Sequence, residues 1–290
     1  MKTITTRSSP SGSARQYDPL NDYLFYKVMG QKGSEVQLLG FLNAVLGKTG
    51  DGRFTSIEIL ENKSFTPENI GDKSVTFDVR AVLQGRSRVN VEVQLRNQRN
   101  MDKRSLFYWS REFSSSLRAG QDFSELPDVI AVNIVNFDYL DASGIHSCFH
   151  LREDREPDIV LTGALEIHFI NMVRYRRLKG KGILANPLYR WLAWLDKASP
   201  PELVEEVARM DLSILTAEEQ LAYITGDEDV KRAYDMRFMA MCDETSNRNF
   251  YLQQGRSEER LEIARKMRGM GDSPEKILAI TGLSPDVYSC

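Results

Sequence analysis

Apolar residues between positions 20 and 46 recur at intervals of three and four, which is the spacing of one face of an α-helix. This pattern predicts a first helix that is capped by Asp18 or Asn21 and stops at Gly30, and a second helix over residues 34–46. The ordered part of the chain is therefore expected to open with two short helices that each bury one face.

From residue 56 the apolar residues alternate with polar ones or form β-branched runs, and both patterns are typical of strands. Strands are predicted over residues 56–60, 74–83, 88–95, 129–137, 145–151 and 165–172, with a helix over residues 101–119. After residue 185 the strand pattern ends, and amphipathic segments with polar connections predict successive helices.

These elements predict an α/β protein in which helices flank a mixed central sheet, followed by an α-helical C-terminal module. The predicted domains are a disordered tail over residues 1–16, a core over residues 17–185 and the helical module over residues 186–290. The module is predicted to end in a short helix, a turn at Gly282 and the start of a second helix, with Ile277, Leu278 and Ile280 facing inward. It is also the candidate surface for association into a homo-oligomer.

Composition and charge limit where the protein is expected to act and what it is expected to bind. The sequence has no run of about 18 apolar residues and no apolar signal-peptide centre, so no membrane partner is expected. The cysteines are too few and too scattered to predict a disulfide framework or a zinc site, which favours a reducing cytoplasm. The histidines show no metal-ligand pairing with carboxylates or cysteines, and His168 is interpreted as structural. The net charge of −3 argues against a protein that coats nucleic acid through bulk charge, although it allows a local basic cleft.

Two neighbouring predicted strands carry acidic residues among apolar ones. Asp78 lies inside the first of them, and Glu92 and Gln94 share one face of the second, opposite to the valines of that strand. If the connecting loop has an odd length, Asp78 lies directly across from Glu92, and a three-residue loop with Gly85 in the left-handed conformation meets that condition. A loop of even length would need a bulge to restore the pairing.

Carboxylates inside buried strands are costly unless positive charge offsets theirs, and two of them on one side of a hairpin form the hard-oxygen site that Mg²⁺ or Mn²⁺ prefers. One interpretation of this pattern is a divalent-metal centre for phosphodiester hydrolysis. Asp78 and Glu92 would be the ligands, Gln94 would orient water or a phosphate, and Lys73 would supply positive charge. The alternative is that the carboxylates belong only to a solvated strand face, because this spacing alone is a weak motif.

The same residues resemble the Asp…(Asp/Glu)-x-Lys centre of the PD-(D/E)XK nucleases, with Gln94 in the lysine position. More specifically, the chain resembles the Rpn (recombination-promoting nuclease) family, also described as PD-(D/E)XK-family transposases. The motifs that carry the resemblance are NDYLF at 21–25 with Gly30, FLNAVL at 41–46, Lys73 with FDV at 77–79, VEVQ at 91–94, Lys103 and Arg104 with Tyr108, Gly120, RWL at 190–192 and ITGLS at 280–284. They extend over nearly the whole chain beyond residue 17.

The resemblance implies a restriction-endonuclease-type core and a Mg²⁺-dependent DNA endonuclease from a bacterial mobile-element, recombination or phage-conflict setting. Two departures are visible, because Tyr26 stands where lysine is common and residues 171–175 replace a stretch similar to Glu-Leu-Pro-Lys-Phe. The rival interpretation is a catalytically silent DNA-binding or regulatory protein that keeps the fold. Gln94 in place of lysine is the feature that supports this rival.

Further residues are candidates for metal or DNA contact. Asp22 would be an additional metal ligand or a helix-start residue that stabilises the positive end of the helix dipole. Arg104 and Tyr108 share one predicted helix face and would grip a phosphate or form an ordinary surface pair. The basic run after the last predicted strand suits backbone phosphates, although such runs are usually solvated surface, and its candidates are Arg174, Arg176 and Arg177.

Overall fold

The computed structural model describes residues 15–60, 79–178 and 182–289. The strands are β1 (Ile57–Leu60), β2 (Val79–Leu83), β3 (Ser87–Gln94), β4 (Val129–Val135), β5 (His146–Phe149) and β6 (Leu165–Asn171). Among the described residues they form a six-stranded sheet in the order β1-β2-β3-β4-β6-β5. The pairs β3–β4 and β4–β6 are parallel, whereas β1–β2, β2–β3 and β5–β6 are antiparallel. The mixed sheet predicted from the sequence is therefore confirmed.

Apart from α4, which the sequence pattern does not predict, and α8, which joins two predicted helices, the helices follow the predicted order along the chain. They are α1 (Asp22–Met29), α2 (Glu35–Val45), α3 (Met101–Ser114), α4 (Met172–Arg176), α5 (Pro187–Leu195), α6 (Pro201–Met210), α7 (Leu212–Ile224), α8 (Glu228–Gly269), α9 (Pro274–Thr281) and α10 (Pro285–Tyr288). Of the two candidate caps of α1, Asn21 is the one used, because its side chain accepts a hydrogen bond from the Leu24 amide at 3.2 Å. Gly30 follows the last residue of α1, as predicted.

The two faces of the sheet bury different sets of residues. The valines of β3, among them Val91, point into the larger core, which also contains Phe41 of α2 and Trp191 of α5. On the other face a smaller core joins Met101 of α3 to Phe169 of β6. Because side chains alternate between faces along a strand, the even-numbered residues of β3 lie on the α3 side.

The hairpin between β2 and β3 has an odd loop length, the one of the two alternatives that needs no bulge. Leu83 pairs with Ser87, which leaves residues 84–86 as a three-residue loop. Gly85 is left-handed, with φ of 66°, and Gln84 shares that region at 49°. At the other end of the described pairing, Val79 lies opposite Val91. The odd loop length needed for the predicted hairpin is confirmed.

The described chain begins inside the predicted disordered tail. Arg15 donates a hydrogen bond to the carbonyl oxygen of Trp194 at 2.6 Å and forms an ion pair with Glu218. Its guanidinium also lies 5.8 Å from the centroid of the Trp194 ring, a cation–π contact that helps to hold residue 15 in place. The rest of the predicted tail, residues 1–14, lies outside the described residues.

The helices α5, α6 and α7 belong to the same compact unit as the sheet. Trp191 and Trp194 are fully buried, and the Trp191 ring contacts Phe41 of α2 edge to face at 5.6 Å between centroids. The chain divides into compact units between residues 235 and 236, within α8, so that α5, α6 and α7 fall in the unit that contains the sheet. The reason is that these amphipathic helices bury their apolar faces in the larger core.

The second unit, from residue 236 onward, differs from its predicted form. The sequence predicts two helices joined by a polar connection, but the structure has one helix, α8, which is 42 residues long and includes that connection. A polar segment without proline is compatible with a solvent-exposed helix. The turn at Gly282, with φ of 72°, is confirmed. Ile277 is buried as predicted, but Leu278 and Ile280 are 47% and 60% exposed, so the prediction was wrong for these two. Within the described ranges, no helix has the length and apolar character needed to cross a membrane.

Candidate functional site

Glu92 is a buried carboxylate in the middle of the sheet. It lies in β3 between the antiparallel neighbour β2 and the parallel neighbour β4, where its register partner is Asn133. Only 5% of Glu92 is exposed, and strand parity directs its side chain towards α3, away from Val91 and Val93. The position of an acidic side chain on the face opposite to the valines, as predicted, is confirmed.

Among the residues that the structure describes, Glu92 forms an ion pair with Arg104 of α3. Its Nη2 donates to Oε1 of Glu92 at 2.6 Å, and the Arg104 side chain is only 20% exposed. The remaining contacts of this guanidinium are a weak hydrogen bond from Nη1 to Gln98 at 3.3 Å and a cation–π contact with Tyr108 at 5.4 Å. Nε of Arg104 is buried and has no hydrogen-bond partner within the part of the chain that the structure describes. The predicted pairing of Arg104 with Tyr108 on one helix face is present, and Arg104 also offsets the charge of Glu92.

Gln94 lies at the end of β3 on the same side as Glu92. Its side chain is half-buried, and its Nε2 donates to the carbonyl oxygen of Arg96 at 3.2 Å. This hydrogen bond engages the amide nitrogen of Gln94 with the backbone two residues further along the chain. Asp78 and Lys73, the other predicted members of the centre, lie outside the described residues, and their roles remain predictions.

A second buried glutamate on the same face of the sheet was not singled out by sequence reasoning. Glu112 of α3 accepts from Arg80 of β2 at 2.5 Å and from Arg88 of β3 at 2.7 Å. Burial alone would raise the pKa of Glu112, but the two guanidinium groups outweigh burial and the pKa is lowered. Arg80 and Arg88 alternate with apolar residues in their strands, which indicates that both lie on the polar face of the hairpin. The spacing of the sequence does not indicate that Glu112 is their partner.

The predicted basic run is held by acidic and backbone oxygens. Arg174 donates to Asp138 at 3.1 Å and Arg177 donates to the same carboxylate at 2.8 Å, and Arg174 and Asn171 are the main causes of a lowered pKa of Asp138. Arg176 donates to Asp196 at 2.9 Å. The structure therefore places all three arginines in local ion pairs. Arg177 is 65% exposed, and the side chains of Arg174 and Arg176 are more enclosed.

Asp22 is the first residue of α1. Its Oδ1 accepts a hydrogen bond from the Tyr23 amide at 2.9 Å, the local contact of a helix-start carboxylate. The buried side chains of α1, including Leu24 and Phe25, pack in the larger core, on the face of the sheet opposite to Glu92. A metal-ligand role for Asp22 therefore remains a prediction of the sequence.

The largest departure from sequence reasoning is a cluster of histidine, cysteine and glutamate on β5 and β6. Cys148 Sγ lies 3.7 Å from both His168 Nε2 and Glu166 Oε1, and the last two atoms are 2.9 Å apart. His146 Nε2 lies 2.8 Å from His168 Nδ1. The inference that these residues lack metal-ligand pairing was wrong, because β5 and β6 are adjacent in the sheet although a connection of many residues separates them in sequence.

The electrostatics of this cluster are unusual. Burial, with a smaller contribution from His168, lowers the pKa of His146 to about 4. Burial and the neighbouring carboxylate of Glu166 raise the pKa of Cys148 to about 12. The hydrogen bond from His168 lowers the pKa of Glu166. Sequence alternation on the strand (His146, Cys148) was a usable signal, but only the pairing with β6 shows which residues it meets.

Comparison with known proteins gives one family. The model of the PD-(D/E)XK nuclease family transposases matches residues 19–249, which include both strands of the hairpin, α3 and the basic run. Neither the curated proteins nor the solved structures contain a significant match. The match covers most of the chain, and the mixed sheet flanked by helices is consistent with this fold. The chain therefore belongs to the PD-(D/E)XK nuclease family transposases.

Proposed function

We propose that this protein is a divalent-metal-dependent DNA endonuclease of the mobile-element or recombination-promoting type. The observation that carries the proposal is the buried carboxylate of Glu92, which lies at the centre of the mixed sheet in a member of a nuclease family. A buried carboxylate in mid-sheet needs positive charge, and catalytic centres are places where proteins maintain such costly groups.

The donor set fits a hard cation. Glu92 and Gln94 offer carboxylate and amide oxygens on one side of β3, which are the ligand types that Mg²⁺ and Mn²⁺ prefer. The pairing of Val79 with Val91, continued by one residue, would bring Asp78 opposite Glu92, and we propose these two carboxylates as the metal ligands. When bound, such a cation polarises the phosphodiester and lowers the pKa of a bound water.

The other residues would act through charge and orientation. Gln94, whose amide nitrogen is held by the Arg96 carbonyl, would direct its oxygen to water or to a phosphate. Lys73 would stabilise negative charge that develops on phosphorus. Asp22, the first residue of α1, is proposed as a further carboxylate for the metal.

DNA contacts are proposed for the side of α3 that carries Arg104, Tyr108 and Arg111. The guanidinium groups of Arg104 and Arg111 both lie 5.4 Å from the Tyr108 ring, which gives a basic surface with an aromatic ring beside the candidate centre. Such surfaces bind the phosphates and bases of nucleic acid. A smaller contribution is proposed for Arg174, Arg176 and Arg177, because carboxylates already hold their guanidinium groups.

The setting is part of the same proposal. We place the protein in the cytoplasm of a bacterial cell, where DNA is accessible and the free thiols Cys148 and Cys242 stay reduced. The C-terminal helices remain the proposed surface for homo-oligomer formation, since they expose apolar side chains such as Phe250 and Tyr251.

A second candidate function has its own observation. Arg104 already offsets the charge of Glu92, and an ion pair of this kind can replace a metal in a protein that keeps the fold but no longer cleaves. In that case the protein would bind DNA and act as a catalytically silent regulatory or DNA-binding protein. Gln94 in the lysine position is compatible with this reading.

A plasmid-nicking assay distinguishes the two candidates. Wild-type protein should convert supercoiled DNA to nicked or linear forms when Mg²⁺ or Mn²⁺ is present and not when EDTA is added. Asp78→Ala should lose cleavage and retain DNA binding in a gel-shift assay, because it removes a ligand oxygen and no basic group. Wild-type protein that binds DNA but shows no divalent-dependent cleavage on any substrate would establish the silent candidate instead.

A further inference from the structure

The face of the sheet opposite to Glu92 carries a second group of metal-binding side chains. In β5 the residues His146 and Cys148 share one face, and Cys148 lies opposite His168 of β6 in the antiparallel register. Glu166 is two residues before His168 on the same side of β6. These side chains therefore converge because of the pairing of an edge strand with its neighbour.

This group is separate from the candidate nuclease centre. The register of the parallel strands aligns Glu92 with Asn133 and Asn133 with Phe169. Phe169 packs in the smaller core with α3, so its neighbour His168 points to the other face of the sheet. The two groups of side chains consequently lie on opposite faces.

The distances in the group suit one small cation. A tetrahedral Zn²⁺ with its usual bond lengths needs ligand atoms about 3.3–3.6 Å apart. Cys148 Sγ is 3.7 Å from His168 Nε2 and 3.7 Å from Glu166 Oε1, and the last two atoms are 2.9 Å apart, so only a slight opening of the His168–Glu166 pair is required. One sulfur, one imidazole nitrogen and one carboxylate oxygen form a donor set typical of zinc.

Two neighbouring histidines complete the group: His146 orients the ring of His168, and His150 is the candidate fourth ligand. Nδ1 of His168 is engaged by His146 Nε2 at 2.8 Å, which leaves Nε2 of His168 directed at Cys148 and Glu166, the arrangement of an outer hydrogen bond that orients a metal-binding imidazole. The ring nitrogens of His150 lie 3.8 and 3.9 Å from Cys148 Sγ, so His150 adjoins the group through its cysteine. His168 is 2% exposed whereas Cys148 is exposed, so the site has a buried anchor and an open entry.

We propose that Cys148, Glu166 and His168 bind Zn²⁺, with His150 as the fourth ligand and His146 as a positioning residue. The ion would tie the short edge strand β5 to β6 through side chains as well as through backbone hydrogen bonds. The site would thus have a structural role at the edge of the sheet, independent of DNA cleavage.

Cobalt substitution tests this proposal with the full-length protein. The protein is stripped with EDTA, and Co²⁺ is added while the thiolate-to-cobalt charge-transfer band is recorded. The wild-type band should saturate at one equivalent, disappear when Zn²⁺ is added and persist in excess Mg²⁺. Cys148→Ser should abolish it, and His146→Phe should weaken Co²⁺ affinity by about 10–100-fold.

Matched controls separate this site from the other cysteines and from the nuclease centre. Cys242→Ser removes the other cysteine that the structure describes as exposed and should leave the band intact. Glu92→Gln should also keep the band, whatever its effect on DNA cleavage. Circular dichroism of each variant checks that the protein is folded. No thiolate band in the wild type, or a band that survives Cys148→Ser and is lost with Cys242→Ser or Cys290→Ser, would overturn the proposal.

Discussion

Glu92 of β3 and Arg104 of α3, twelve positions apart in sequence, form an ion pair with 2.6 Å between Oε1 and Nη2. Both side chains are largely enclosed, at 7% and 20% exposed. The pair joins the helix to the sheet at the candidate metal centre. In the absence of metal, the protein therefore supplies its own cation to a carboxylate that the proposed activity assigns to Mg²⁺.

The first prediction concerns competition between Arg104 and the metal. Arg104→Ala leaves the buried carboxylate of Glu92 without this guanidinium, and we expect the free energy of unfolding to fall by about 3 kcal/mol in EDTA. Mg²⁺ should raise the melting temperature of Arg104→Ala more than that of the wild type, because the ion then supplies the missing charge. Arg111→Ala is the matched control, since Arg111 also contacts Tyr108 but is exposed. Equal effects of Mg²⁺ on all three proteins would contradict a competition between Arg104 and a metal at Glu92.

A second prediction concerns pH and Glu112. Its folded-state pKa is lowered from 4.5, so the stabilisation by Arg80 and Arg88 is present above the unfolded pKa and is lost as pH falls through the lower folded value. Glu112→Gln should cost about 1–3 kcal/mol at pH 7, as expected for a charged hydrogen-bond pair that is partly exposed to solvent. The difference from wild type should shrink below pH 4.5 in urea unfolding experiments. A difference that is the same at both pH values would show that the ion pairs do not stabilise the fold.

The third prediction tests whether α7 belongs to the core. An added Cβ at Gly40 of α2 would overlap the side chain of Ser213 of α7, so Gly40→Ala should destabilise the protein by about 1–3 kcal/mol. Gly52→Ala meets open space at a backbone conformation that alanine adopts, and it should change stability little. Thermal unfolding of both variants measures the difference. Similar melting temperatures would mean that α2 and α7 are not in close contact.

A fourth prediction addresses the hairpin that positions Glu92. Gly85 has φ of 66°, and nothing lies within 4 Å of an added Cβ, so Gly85→Ala should cost about 1 kcal/mol through backbone strain alone. Gly163→Ala, also in open space but without a left-handed φ, should be neutral or slightly stabilising. Chemical denaturation of the two variants is the measurement. If Gly85→Ala were as stable as Gly163→Ala, the left-handed turn would not be what sets the hairpin.

The sequence predicts local features well because alternation and turn chemistry are local. The face of Glu92 and the left-handed Gly85 follow directly from a period of two and from the loop length. Pairing across elements is different: nothing in the spacing connects Arg104 to Glu92, or Cys148 to His168. Those contacts depend on how α3 packs on the sheet and on β5 lying next to β6.

The helices after residue 185 also depend on contacts that the spacing of the sequence does not predict. Amphipathic spacing correctly predicts helices after residue 185, but it does not say whether their apolar faces meet each other or an existing core. Trp191 meets Phe41 of α2, which extends the first unit to residue 235. The polar stretch inside α8 contains no proline, and its Gly255 is only mildly unfavourable in a helix, so hydrophobic periodicity alone could not decide whether the helix ends there.

The most direct test of the proposed activity compares Glu92→Gln with Glu112→Gln in a Mg²⁺-dependent DNA cleavage assay. Both changes remove one buried carboxylate on the same face of the sheet and leave arginine without its partner, but only Glu92 is proposed as a metal ligand. At equal amounts of folded, DNA-bound protein, Glu92→Gln should cleave more than about a hundredfold more slowly than wild type, and Glu112→Gln should cleave at a rate close to it. Equal rates for Glu92→Gln and Glu112→Gln, whether both fast or both slow, would contradict a metal-dependent centre at Glu92.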